Sequence, residues 1–272
     1  MNMLKLFKSS LKKDGTFGIV NITGLSVGMA MSLLIIWYLY YHFSFDSHIP
    51  ERDKLFSVVQ KDRHDGSLSF GNPLPLADAI QTDYPGEGEV TALSHADALP
   101  VTVGAIEYTV KAVAASQNIF HVLGWEFLVG SGETALAGPD NSVITQSCAH
   151  RLFGSENPVG QIIEIKTFGG ERVSAITGII KDPPVNSGFD AEMYLSWELT
   201  NPPDWRRKWW WGGTHIVVKA ANETQRTSLE QKMNTILARH HAPYIEGRYD
   251  FRLIPLKTIH FRTDIENPLV SP

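Results

Sequence analysis

Ten histidines, one cysteine and a run of tryptophans are the residues of this 272-residue chain with chemical potential beyond packing. A helix-borne zinc hydrolase needs two histidines four apart with a glutamate between them, and no HExxH occurs. His240 and His241 are adjacent and would project about 100° apart on a helix, which does not converge on one metal. No GxxxxGK[ST] loop is present to cradle nucleotide phosphates, and no Cys-x-x-Cys pair occurs. Cys148 has no partner for an internal disulfide and reads as a small buried apolar residue. No enzymatic activity, metal or cofactor is expected.

The one local concentration of unusual residues is Trp205-Arg206-Arg207-Lys208-Trp209-Trp210-Trp211-Gly212-Gly213. Four tryptophans and three cations within seven residues form a candidate contact for a partner or an amphiphilic ligand, carried by Trp205, Trp209, Trp210 and Trp211. Because tryptophan is costly to leave in water, at least one ring is expected to be buried, capping a seam between substructures.

The elements that position this loop begin with a membrane segment. Residues 17–41 contain no Asp, Glu, Lys or Arg, and about 20 apolar residues cross a bilayer core. Trp37, Tyr38, Tyr40 and Tyr41 crowd one end, as interfacial aromatics do. Gly24 and Gly28 form a small-xxx-small pair, a candidate helix-packing contact. Lys5, Lys8, Lys12 and Lys13 precede the span against Asp14 alone, a balance of +3, while the whole chain carries −5, leaving −8 for the rest. The lysine bias places the N-terminus in the cytoplasm and the main domain outside. A basic tip on an acidic body points to membrane lipids and away from nucleic acid. A cleaved signal is the competing reading, but the apolar run continues eleven residues past the weak Gly28-Met29-Ala30 site. Before the span, Leu4, Phe7 and Leu11 share one helical face and the lysines another, predicting a short interfacial helix, a candidate cytoplasmic interface.

Beyond the span, two β-α-β units are predicted. In the first, strand 54–60 leads to a helix with Asn72 as N-cap, Pro73 at its first position and Leu76, Ile80 and Tyr84 on one face, then strand 89–93. In the second, strand 214–219 leads to a helix capped by Asn222 with Gln225, carrying Leu229, Met233, Ile236 and Leu237, then strand 248–256. Between them, strands over 107–114, 162–166, 171–180 and 192–197 and short helices over 117–123 and 145–153 make a mostly β insertion. The fold class is therefore α+β: a split β-α-β domain with a β-rich insertion behind one transmembrane helix.

The opening residues 4–8 and 17–28 resemble the N-terminus of MacB/FtsX-type ABC transporter permeases, in particular the Bacteroidetes-like branch. Three further blocks are similar: Phe43 to His48 with residues 54–59; Leu152-Phe153-Gly154 with Asn157 to Gln161; and residues 177–184 with Asn186-Ser187. The resemblance implies a MacB-like periplasmic core, with a Porter-like subdomain at 44–115 and 213–272 and a Sabre-like insertion at 116–212, after a cytoplasmic segment 1–15 and a transmembrane helix 16–43. It implies residence in the cell inner membrane and a partner ATPase in the cytoplasm. Other implied partners are the remaining permease helices or a second permease copy, and a periplasmic protein, peptide or lipoprotein substrate. Family members have further transmembrane helices after the periplasmic core, so the chain is expected to be the N-terminal piece of a longer permease, or else a natural short form. The alternative function is a stand-alone anchored module that recruits an extracytoplasmic partner.

Overall fold

A computed structural model describes residues 15–94, 97–167, 169–200, 204–240 and 247–266. The chain divides into two compact units, residues 1–45 and 46–272.

In the first unit, helix α1 spans Gly15–Phe43. The 28 residues Thr16–Phe43 have a mean hydropathy of 2.0, enough length and apolarity to cross a membrane. Apolar residues occupy every face, and Phe17, Leu25, Met31, Leu34 and Trp37 are all exposed. A helix apolar all round has no water-facing side, the pattern of a segment that belongs in a core or in lipid. Two of its hydroxyls bond back into the helix: Thr23 Oγ1 donates to Ile19 O at 2.8 Å and Ser32 Oγ to Gly28 O at 2.9 Å.

The second unit combines a β-barrel with a helix-backed sheet. The sheet holds β3 (Glu89–Ser94), β11 (Thr214–Lys219), β1 (Leu55–Asp62) and β12 (Tyr249–Pro255), all antiparallel. Short strands β2 (Leu68–Ser69) and β13 (Ile265–Glu266) extend it beside β1. One face is covered by α2 (Pro75–Asp83) and α6 (Glu223–Arg239). The predicted α6 stripe of Leu229, Met233, Ile236 and Leu237 is buried against Phe56, Val58, Ile216 and Phe251. Each such side chain contributes about 1.5–3 kcal/mol of burial. The α6 start is held as its sequence implies: Asn222 Oδ1 accepts from Gln225 N at 2.9 Å, and Gln225 Oε1 accepts from Ala221 N at 2.6 Å.

Six of the described strands form the barrel. β5 (Ile106–Ala115) pairs with β4 (Asp97–Val103), β4 with β8 (Ile162–Thr167), and β8 with β9 (Gly170–Ile180). β9 pairs with β7 (Asn141–Thr145), β7 with β10 (Met193–Ser196), and β10 returns to β5 in parallel. Closure removes the free sheet edge. The interior is Val101, Val110, Ile163, Ile176, Met193 and Leu195, and α4 (Gln146–Phe153) closes it with Cys148 and Leu152. Cys148 is fully buried and its thiol is pushed up to about 11 by burial, the behaviour of a packing residue. A short edge strand β6 (Phe127–Val129) lies on β9, and one helical turn, α5 (Trp197–Thr200), follows β10. Barrel and sheet are tied through β5, whose Ala115 pairs with Leu93 of β3, and through a shared core that includes α3 (Ile119–Leu123).

Two local expectations are corrected. Asn72 is not a helix cap: it is fully buried, and its Nδ2 donates to Val58 O at 2.8 Å, while α2 starts at Pro75. Strands β4 and β7 lie where no strand was expected, because Pro100 interrupts the first and the second runs directly into α4, whose N-cap is Thr145.

Candidate functional site

Two places in the second unit gather polar or aromatic groups with unusual surroundings. The first is the chain just after the apolar helix. Asp46 has a left-handed backbone, φ 54°, and its carboxylate is buried. Its N–H donates to Asn186 O at 2.9 Å, and its Oδ1 accepts from Gly188 N at 2.9 Å and from Ser187 Oγ at 3.1 Å. Burial raises the Asp46 pKa above the ordinary carboxylate value, against the hydrogen bonds from Gly188 and Ser187 and the charge of Arg52. Ser187 and Asp46 belong to two separated motif blocks of the sequence, which the fold brings together.

A serine, a histidine and an aspartate meet here, with His48 Nε2 at 3.5 Å from Ser187 Oγ. A hydrolytic triad places histidine between the other two. In this arrangement Ser187 donates straight to the aspartate and accepts from Phe189 N at 3.1 Å, so the serine is an anchor. One serine-nucleophile spacing, Gly24-Leu25-Ser26-Val27-Gly28, lies inside α1 instead of on a strand-to-helix turn, and Ser9-Ser10-Leu11-Lys12 lies outside the described residues.

The anchoring extends along residues 46–54. Ile49 is buried, and Pro50 sits so close to Gly124 that a Cβ there would lie 2.8 Å from its ring. Lys54 O accepts from Ala220 N at 2.9 Å, and Glu51 pairs with Lys54 and Lys219, which hold its carboxyl down at about 2. On the other side of the 186–189 loop, Phe189 stacks on His215 with centroids 6.1 Å apart, and His215 Nε2 lies 3.1 Å from Ser57 Oγ. His215 is almost fully buried between Phe189 and Phe70, and burial lowers its pKa to about 3. Contacts therefore run without a break from Asp46 through the loop into strands β11 and β1.

The second place is the seam between sheet and barrel. A cleft of about 240 Å³ opens there, walled by Leu74 and the Trp211–Thr214 segment on one side and by β4, β5, β10 and Trp197 on the other. The tryptophan run divides as follows. Trp209 is half-buried, packs against the sheet-helix core and stacks on His240 at 5.1 Å. Trp210 and Trp211 are 50% and 39% exposed and meet edge to face at 6.2 Å, and Trp211 forms part of the cleft wall. Trp205 lies in the 3-10 turn Asp204–Arg207. The segment is pinned behind the rings, because a Cβ on Gly212 would collide with Gly71 O. Sequence reasoning found the rings but not Asp97, Trp197 and Thr214, which reach the cleft from three other elements.

The remaining candidates are placed more simply. A Cβ added at Gly24 or Gly28 would meet no atom within 4 Å, so these positions are open surface on α1. Leu4, Phe7 and Leu11 lie outside the described residues. Among the described residues no cluster of three or more acidic, histidine or cysteine groups is arranged for a metal.

Residues 19–236 match the model of the MacB-like periplasmic core domain. Three solved structures share the fold. A domain assigned to a permease protein of Porphyromonas gingivalis is 20% identical, with a TM-score of 0.64, over 76% of this chain and 93% of that one. The periplasmic region of MacB from Actinobacillus actinomycetemcomitans is 17% identical, with a TM-score of 0.54, over 78% and 92%. The extracellular domain of the noncanonic ABC-type transporter YknZ from Gram-positive bacteria is 12% identical, with a TM-score of 0.53, over 74% and 99%. No curated protein matches the chain. With four-fifths of its length inside that family model and the same fold in three transporter domains, the chain belongs to the MacB-like periplasmic core domain family.

Proposed function

We propose that this chain is the N-terminal transmembrane and periplasmic part of an ABC transporter permease subunit that couples cytoplasmic ATP hydrolysis to movement of its periplasmic domain. The observation that carries the reading is the anchorage of residues 46–54. A helix that only tethers a domain is joined to it by a loose linker. Here residue 46, next in sequence after the first unit, is held by the Ser187–Gly188 loop, and a pull on it is passed in this reading through Phe189 and His215 to β11 and β1. Packed contacts of this kind move as a body, while flexible linkers absorb motion.

In this reading the N-terminus lies in the cytoplasm of an inner-membrane protein, with Leu4, Phe7 and Leu11 facing an ATPase subunit. Gly24 and Gly28 face further permease helices or a second permease copy. The division into a Porter-like part, 44–115 with 213–272, and a Sabre-like part, 116–212, belongs to the same reading, with β4 and β5 of the first part entering the barrel. The exposed Trp210 and Trp211 serve contact with a periplasmic protein, peptide or lipoprotein. The test is purification of the full chain from its native membrane under mild detergent. An ATP-binding protein should co-purify, and its loss on charge reversal of Lys5, Lys8, Lys12 and Lys13 would support the cytoplasmic contact. A preparation with no nucleotide-binding partner would contradict it.

A further inference from the structure

The loop that carries the tryptophans is held at two points. At its far end Gly212 lies against Gly71 O. At the near point a turn, closed by Trp211 N donating to Lys208 O at 3.1 Å, lays Trp209 on the sheet-helix core and leaves Trp210 exposed. The Trp209 indole lies on the imidazole of His240, with ring centroids 5.1 Å apart and planes 26° from parallel. His240 ends α6, its N–H donating to Ile236 O at 2.9 Å. Its Nε2 is 3.1 Å from Oδ2 of Asp83, the last residue of α2. The Asp83 side chain is only 16% exposed, so this pair is more sheltered than an ordinary surface ion pair. One imidazole thus joins the tryptophan loop to the ends of two helices.

We infer that His240 is a pH-sensitive clasp on the tryptophan loop, closed by uptake of a proton. Among the described residues, the charged and titratable groups around it are Asp83 and Tyr84 at the end of α2, Arg239 and Lys232 on α6, and Arg207 and Lys208 beside Trp209 in the loop. The cations are turned elsewhere. The Arg239 guanidinium lies over the Tyr84 ring at 5.2 Å and reaches Asp83 only at 3.9 Å. Lys232 pairs with Glu87, and Arg207 and Lys208 are exposed, where salt and water screen them. A neutral imidazole gives the loop a ring stack and Asp83 an ordinary hydrogen bond. A protonated one gives a charge-assisted hydrogen bond and sets a cation on the indole face. The stack needs Trp209 in place, so the closed loop holds the proton more tightly than the open one. Closing is therefore favoured as pH falls through the range of about 5 to 8 in which histidine side chains change charge, and is weakened as pH rises. Trp210 and Trp211, next in the chain, are held in one presentation at acid pH and freed toward neutral pH. The clasp belongs to the folded unit and holds whether or not the chain couples to an ATPase.

The test uses the full chain in detergent and two readouts. Brief digestion with trypsin, followed by mass spectrometry, measures opening of the loop as the rate of cleavage after Arg207 and Lys208. The rate for the parent is divided by that for His240→Gln at the same pH, which cancels the protease's own pH dependence. That ratio should fall about fivefold from pH 8 to pH 6, the scale of exchanging a neutral hydrogen bond for a charge-assisted one. Asp83→Asn keeps the imidazole and loses the carboxylate, and should shrink the fall. In the second readout, 5-fluorotryptophan is incorporated and the Trp209 fluorine signal is assigned with Trp209→Phe. The signal should move with pH across the same range in the parent and stay still in His240→Gln, with the Trp125 and Trp197 signals unchanged between the two as the check on folding. A cleavage ratio that is constant or rises toward pH 6, or a Trp209 signal that titrates equally in His240→Gln, would overturn the assignment.

Discussion

Asp46 carries a charge in a buried place, and the pH behaviour that follows has a definite sign. Its pKa is raised on folding, so between the ordinary carboxylate value and the raised one the folded state holds more protons than the unfolded state. Stability from this group is full at low pH and falls as pH rises through that interval. Asn at position 46 keeps the acceptor for Ser187 and Gly188, removes the buried charge and tolerates φ 54°. Asp46→Asn should therefore melt no lower than the parent at pH 7, whereas Asp46→Ala should lose about 1–3 kcal/mol by leaving the loop donors unpaired. Denaturant curves decide this, and equal damage from both substitutions would contradict it.

His215 has the opposite sign. Its pKa is about 3 when folded and near 6.5 when unfolded, so the unfolded chain binds the extra proton in between. The stability it supports is present above about pH 6.5 and is lost as pH falls toward 3, on the order of 5 kcal/mol in full. His215→Leu should flatten the pH dependence of unfolding in that window relative to the parent, and an unchanged slope would place the acid sensitivity elsewhere. Neither residue could be singled out from the sequence: Asp46 follows an apolar helix like any linker acid, and a lone strand histidine carries no pattern. Their partners lie 141 and 158 residues away along the chain.

Among the elements, those with a strong local signal were legible. Strand β12 and helix α6 fall where alternation, the fourfold apolar stripe and the Asn222–Gln225 pair put them. Because that cap satisfies otherwise orphaned N–H groups, Asn222→Ala should cost about 1 kcal/mol by denaturant unfolding. A change below experimental error would mean that packing of Leu229 and Met233 alone fixes the helix start. The closed barrel was not legible. Its closure depends on β10 pairing with both β7 and β5, and strand order is set by distant partners that alternation does not encode. Asn72 followed by Pro73 imitates a helix start, yet the buried side chain serves a carbonyl of β1. Local chemistry proposed a cap, and tertiary demand for a hydrogen bond at Val58 O took the residue instead.

On the scale of the whole molecule, the motif blocks of the sequence and the apolar run foretold the family and the α+β class, and the fold agrees. The site was only half visible. A dense tryptophan run announces itself, but a cleft needs residues from β4, β5, β10 and α5 to converge, and convergence is a property of the folded chain. The transporter reading depends on α1 crossing the bilayer with the folded unit on the outer side of the membrane. Single thiols test this most directly, because Cys148 is buried and contributes little background. With Ser9→Cys and Val185→Cys made separately in the full chain, a membrane-impermeant maleimide is applied to spheroplasts. Position 185, 91% exposed, should label in intact spheroplasts, and position 9 only after the membrane is permeabilised. Labelling of position 9 in intact spheroplasts, with position 185 protected until lysis, would contradict this topology and the coupling built on it.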